Sequence, residues 1–144
     1  MSTLTVETAR DGQVRPLAFT HDPAPLLGLM AFGVAEPFGS QHPLTILVRR
    51  LKREHGLDVA PLLSYYDRDV RDAEDREKLA AAWQDAAALR DCVAAVRAAI
   101  AADPEAPALL AGFETIPDLL AELEALSETA ARGGGRIRLS FTLA

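Results

Sequence analysis

The sequence predicts a mainly helical α+β fold: five to six helices, one of them long and central, packed on a small antiparallel sheet. That sheet is formed by an N-terminal hairpin and a C-terminal strand. Three observations carry this expectation. Apolar and polar residues alternate at both ends of the chain, the period of a half-buried strand. The stretch from Asp69 to Asp103 holds no Gly and no Pro and is dense in Ala, the best helix former. Between these parts lie Asp-Pro openings and Gly closings, the punctuation of shorter helices.

From the N-terminus, Leu4 and Val6 alternate with Thr3, Thr5 and Glu7, and Asp11-Gly12 offers the positive φ angles of a tight hairpin turn. Val14, Leu17 and Phe19 continue the second arm, where Pro16 withholds a donor and marks an edge strand. Asp22 and Pro23 open an apolar helix that closes at Gly33. Glu36 to Gly39 is a turn. A second helix starts at Pro43, capped by Ser40 or His42, and buries Leu44, Leu47, Val48 and Leu51. A short helix is expected over Val59 to Tyr66, capped by Asp58.

The long helix is expected from Asp72 to Ala102, roughly 46 Å at 1.5 Å per residue. Leu79, Trp83, Ala86, Leu89, Val93, Val96 and Ile100 line one face of it. Asp103-Pro104 opens a short helix closed by Gly112. Thr115 and Asp118 have the spacing of a capping box for a further helix burying Ile116, Leu119, Leu120, Leu123 and Leu126. Gly133 to Gly135 reads as a flexible connection. In the last strand Ile137, Leu139, Phe141 and Leu143 share a face, and its partner is expected to be the first strand. The likeness of DPAPLLGLMAF to DPEAPALLAGF is ascribed to shared composition, since the residues after the two segments diverge at once.

At 144 residues, 49% of them hydrophobic and 25% charged, the chain reads as one globular domain, residues 1 to 144. Its net charge of −6 argues against nucleic acid as the main partner, because phosphate recognition needs a basic surface. The longest uncharged run, between Asp22 and Glu36, is too short to span a bilayer. No secretory signal is read at the start, and the lone Cys92 suits a reducing compartment, so a cytoplasmic location is expected. Basic charge is nearly all Arg, which with abundant Ala suggests a GC-rich bacterial genome.

No catalytic constellation emerges. His21, His42 and His55 lack the i, i+3 or i, i+4 pairing of helix-borne metal ligands and sit where cap or dipole roles suffice. Ser40 is read as a cap, no G-x-S-x-G elbow occurs, and the Gly run leads from helix into strand, the reverse of a phosphate loop. The acidic residues of Asp67 to Glu77 are interleaved with Arg68, Arg71 and Arg76, a solvated helix start. The basic side of the second helix (Arg49, Arg50, Lys52, Arg53) is expected to lie near that acidic segment.

No catalytic residue, metal site or cofactor is therefore assigned. The expected function is that of a non-catalytic protein-binding accessory, adaptor or immunity-type protein, meeting another chain, its own copy or a different one, in an oligomer or complex. Contact is expected through Leu26, Leu29, Met30, Phe32 and Phe38, because a helix apolar all round exceeds what a small core encloses. Tyr65 and Tyr66 join this set as interface-type residues. The alternative is a small-molecule binder or minor enzyme with a pocket beneath the first helix and His21 or His42 at its mouth.

Overall fold

The computed structural model describes residues 3–142. Leu143, expected to share a face with Ile137, Leu139 and Phe141 in the last strand, lies outside them. The elements in chain order are β1 (Thr3–Arg10), β2 (Gln13–Leu17), α1 (Ala24–Val34), a 3-10 turn (Glu36–Phe38) and α2 (Pro43–Arg53). Then come β3 (Tyr65–Asp67), α3 (Ala73–Ala80), β4 (Gln84–Asp85), α4 (Ala86–Ala102), α5 (Ala106–Leu109), α6 (Ile116–Arg132) and β5 (Arg136–Thr142). The fold is mainly helical α+β, as the sequence predicts.

The hairpin turns at Asp11 and Gly12, with φ of 51° and 75°, the paired positive angles that match the twist of the flanking strands. β1 pairs antiparallel with both β2 and β5, so Val6 faces Leu17 on one side and Leu139 on the other. The first and last strands therefore join as expected, and Pro16 lies on the outermost strand.

β5 carries more than the hairpin. Its second edge takes β3 in parallel and the two-residue β4 antiparallel, which makes the sheet mixed. β3 replaces the helix expected over Val59 to Tyr66. Asp58 does accept a hydrogen bond from the Ala60 N–H, but only one turn follows, closed by Leu63 N–H to the Val59 carbonyl. The aromatic pair Tyr65-Tyr66 then finds a free strand edge, where such residues fit better than in a helix.

The long helix is also interrupted. α3 stops at Ala80, and α4 starts at Ala86. Between them Trp83 stacks on the Arg138 guanidinium at 4.3 Å, and Arg138 donates to the Leu79 carbonyl at the end of α3. Gln84 and Asp85 then pair with β5, and Gln84 donates to the Pro61 carbonyl. Tertiary partners override the helix propensity of the Ala run. α3 accordingly buries no residue, whereas α4 buries Leu89, Val93, Val96 and Ile100 against α6.

α6 begins without the expected capping box. Thr115 has helical backbone angles and its hydroxyl makes no cap, the chain being led in by Ile116 N–H to the Phe113 carbonyl. Leu126, expected in the core, is only half-buried. α6 ends in a closed turn rather than a flexible link. Gly134, at φ 68°, donates to the Ala131 carbonyl and Gly135 to the Ala130 carbonyl, the two bonds of a Schellman cap. The segment opened by Asp103-Pro104 holds the four-residue α5, against eleven residues in α1, in keeping with likeness of composition only.

Leu4, Val6, Ile137 and Leu139 form the inner face of the sheet, and α1, α4 and α6 pack over it in one apolar cluster. On the outer face the Glu7 carboxylate accepts from Arg68 and Arg138, beside a fully buried Ser140. No helix among the described residues is long and apolar enough to cross a membrane.

Candidate protein-docking site

The residues expected to meet a partner divide sharply by burial. Leu26, Leu29 and Met30 are 0% exposed and belong to the core, enclosed by α2, α6 and β1. An all-round apolar helix is accommodated here because α1 lies at the middle of the packing, not over it. Phe32 is half-buried and stacks on His42 with ring centroids 3.6 Å apart. Phe38, by contrast, is 86% exposed. Ala31 and Val34 at the end of α1 and Pro37 in the 3-10 turn are exposed as well.

The loop that carries Phe38 is held from several sides. Gly39 adopts φ 81°, a left-handed angle that ends the 3-10 turn at little cost only for glycine. The Thr45 hydroxyl donates to the Phe32 carbonyl at 2.8 Å and lies 2.9 Å from Ser40 Oγ. His42 caps α2, its Nδ1 accepting from the Leu44 N–H at 3.1 Å. Arg49 donates to the Ser40 carbonyl at 3.1 Å. Glu36, only 8% exposed, accepts from Lys52 at 2.9 Å and lies 3.5 Å from Arg49. The Lys52 hydrogen bond holds its carboxyl below the ordinary range against the opposing effect of burial, helped by the charges of Lys52, Arg49 and Arg53.

These ion pairs overturn an expectation. The basic side of α2 does not face the Asp67 to Glu77 segment: Arg49 and Lys52 go to Glu36, and Arg50 goes to Asp103. The chain returns past the end of α2 at Asp103, not at α3, and that decides the pairing. Asp103 has a fully buried carboxylate, taking Arg50 at 3.0 Å, His55 Nε2 at 2.8 Å and the Glu105 N–H at 2.8 Å. The Arg50 hydrogen bond, with those of His55 and the Glu105 amide, keeps its carboxyl far below the usual value despite burial.

The other two expected contact residues lie on β3. Tyr65 is half-buried edge-on to Phe141, and burial pushes its hydroxyl pKa up. Tyr66 lines an open cleft of about 340 Å³ with Asp67, Asp69, Arg71, Asp75 and Lys78. A second open cleft, of about 540 Å³, lies between the hairpin and the end of α6, lined by Thr8, Arg10, Arg15, Leu17 and Thr129 among others.

Groups with the chemistry of catalysis are accounted for by structure. Thr20, His21 and Glu122 are residue types of a catalytic triad, but the Thr20 hydroxyl and the Glu122 carboxylate both meet Nδ1 of the same ring, at 3.0 and 3.1 Å. A relay needs the hydroxyl at one ring nitrogen and the carboxylate at the other. This cluster instead ties the β2–α1 connection to α6. Burial raises the Cys92 thiol pKa, the opposite of what an activated nucleophile requires. Among the described residues no three His, Cys, Asp or Glu side chains are grouped to hold a metal ion.

Sequence reasoning missed Glu36, Asp103, Glu122 and Glu7, the four carboxylates that organise these clusters. Their side-chain partners lie 13 to 131 positions away, beyond any local signal, with 16 separating Glu36 from Lys52 and 131 separating Glu7 from Arg138. No protein-family model, no curated protein and no solved structure matches this chain.

Proposed function

We propose that this chain is a non-catalytic protein-binding module, an accessory or adaptor type of protein that engages another chain through the Phe38 loop. One observation carries the reading: a phenylalanine 86% exposed at the tip of a loop whose backbone is fixed by Glu36, Ser40, Thr45 and Arg49. A lone exposed apolar side chain is ordinary. A buried carboxylate and two cations engaged in holding it still are not, and a contact presented in a fixed conformation loses less entropy on binding. Aromatic residues are also enriched at interface centres. The exposed apolar residues near it in the chain are few, Ala31, Val34 and Pro37, which suits a small knob entering a partner's pocket.

The test compares three tagged baits expressed in the native cell: the wild-type chain, Phe38→Asp, and Val14→Asp as a control at another exposed apolar residue. The expected result is a partner recovered with wild type and Val14→Asp and lost with Phe38→Asp, while all three keep the same thermal midpoint. An identical set of recovered proteins for all three baits contradicts the proposal.

A further inference from the structure

We infer that the partner which accepts the Phe38 knob is a second copy of this chain, docking head to tail at its Tyr66 cleft. This rests on the docking function proposed for Phe38 and adds to it the identity of the partner. Three cations, Arg49, Lys52 and Arg53, surround the carboxylate of Glu36 beside the knob, so this corner is positive in a chain of net charge −6. Arg53 is exposed and makes no ion pair among the described residues.

The cleft offers the complement. Its cations are engaged within the same segment: Arg71 lies 3.0 Å from Asp69, and Lys78 lies 3.4 Å from Glu74. Among the described residues Asp67 and Asp75 accept only backbone amides, from Asp69 and Arg71, and keep their charge available for an incoming cation. Tyr66 supplies an aromatic wall against which a phenyl ring packs edge-on or offset. A volume of about 340 Å³ has room for it, since roughly 150 Å³ suffices for benzene. The charge complementarity between the α2 face and the acidic segment, unused within the chain, is satisfied between chains.

A symmetric dimer through two knobs is disfavoured, because it brings the cations of both copies together. Knob and cleft are different patches, so the contact is heterologous and each copy offers one of each, allowing growth beyond two. Steering by opposite charges makes the association weaken with salt.

Sedimentation velocity across micromolar to millimolar concentration tests this, with wild type, Phe38→Asp and the double variant Asp67→Lys/Asp69→Lys. All three substituted side chains are exposed, and each variant's thermal midpoint reports that it folds. Wild type should gain mass with concentration, less so at high salt, and Phe38→Asp should weaken association at least about tenfold, the scale of a central interface residue. At concentrations where wild type is half associated, each variant alone should stay mostly monomeric. Mixed one to one they should form a dimer and stop there, because the intact knob of one meets the intact cleft of the other. A wild-type chain that stays monomeric throughout overturns the inference, as does an associating wild type whose two variants do not complement. Neither result touches the docking function itself, which is tested separately by whether Phe38→Asp recovers the same cellular proteins as wild type.

Discussion

At the scale of single residues, the structure is organised by carboxylates that the core partly encloses. Asp103 is the clearest, because Arg50, His55 and the Glu105 amide all converge on it. Asp103→Asn removes the charge and leaves Arg50 half-buried without its counterion, which should cost about 3 kcal/mol of stability at neutral pH. The sign of the pH dependence follows from its depressed pKa. A carboxylate held below its unfolded value of about 3.9 stabilises fully above that value, and the contribution is lost as pH falls through the folded one. The gap in thermal midpoint between wild type and Asp103→Asn should therefore be widest near neutrality and narrow steadily below about pH 4. A gap constant from neutral to strongly acidic pH contradicts the assignment. Glu36→Gln probes the docking loop in the same way. It should cost about 2 kcal/mol, the range for a charged hydrogen bond, and raise amide exchange at Phe38 and Gly39, whose N–H groups close the 3-10 turn.

At the scale of elements, short-range physics decides the parts that were legible in the sequence. The Asp11-Gly12 turn, the buried face of α2 and the alternation of β1 and β5 are each set by residues a few positions apart. The break between α3 and α4 is set by Arg138, far along the chain, which takes the Leu79 carbonyl and stacks on Trp83. No window of the Ala-rich stretch contains that information, although Asp85 just before AAALRD is an N-cap type of residue. Arg138→Met should accordingly free α3, which buries nothing of its own, raising amide exchange over Ala73–Ala80 while leaving α4 protected. Equal protection of α3 in both proteins argues that something else holds it. At the end of α6, Gly135→Ala should cost more than Gly134→Ala. A methyl at position 135 sits 2.8 Å from the Ala130 backbone carbonyl, whereas Gly134 at φ 68° meets nothing within 4 Å and carries only the left-handed penalty of about 1 kcal/mol. Thermal unfolding of the two variants decides the order.

At the scale of the whole molecule, β5 is the strand on which β1, β3 and β4 all depend. Removing residues 136 to 144 should abolish cooperative unfolding, and a truncated chain with an unchanged thermal midpoint contradicts this topology. The candidate site was half legible. Phe38 stands just past an uncharged run, and it is exposed; Leu26, Leu29 and Met30 stand within that run, and they are core. Composition reports that a segment is apolar, while only the packing of α2, α6 and β1 around α1 decides which end of it stays outside. The outside end is where we propose that another protein binds. A photo-crosslinking phenylalanine analogue placed at position 38, with a matched chain carrying it at position 14, tests this most directly in living cells. A discrete protein adduct is expected at position 38 that position 14 does not give, and equal or absent adducts at both positions would contradict docking through Phe38.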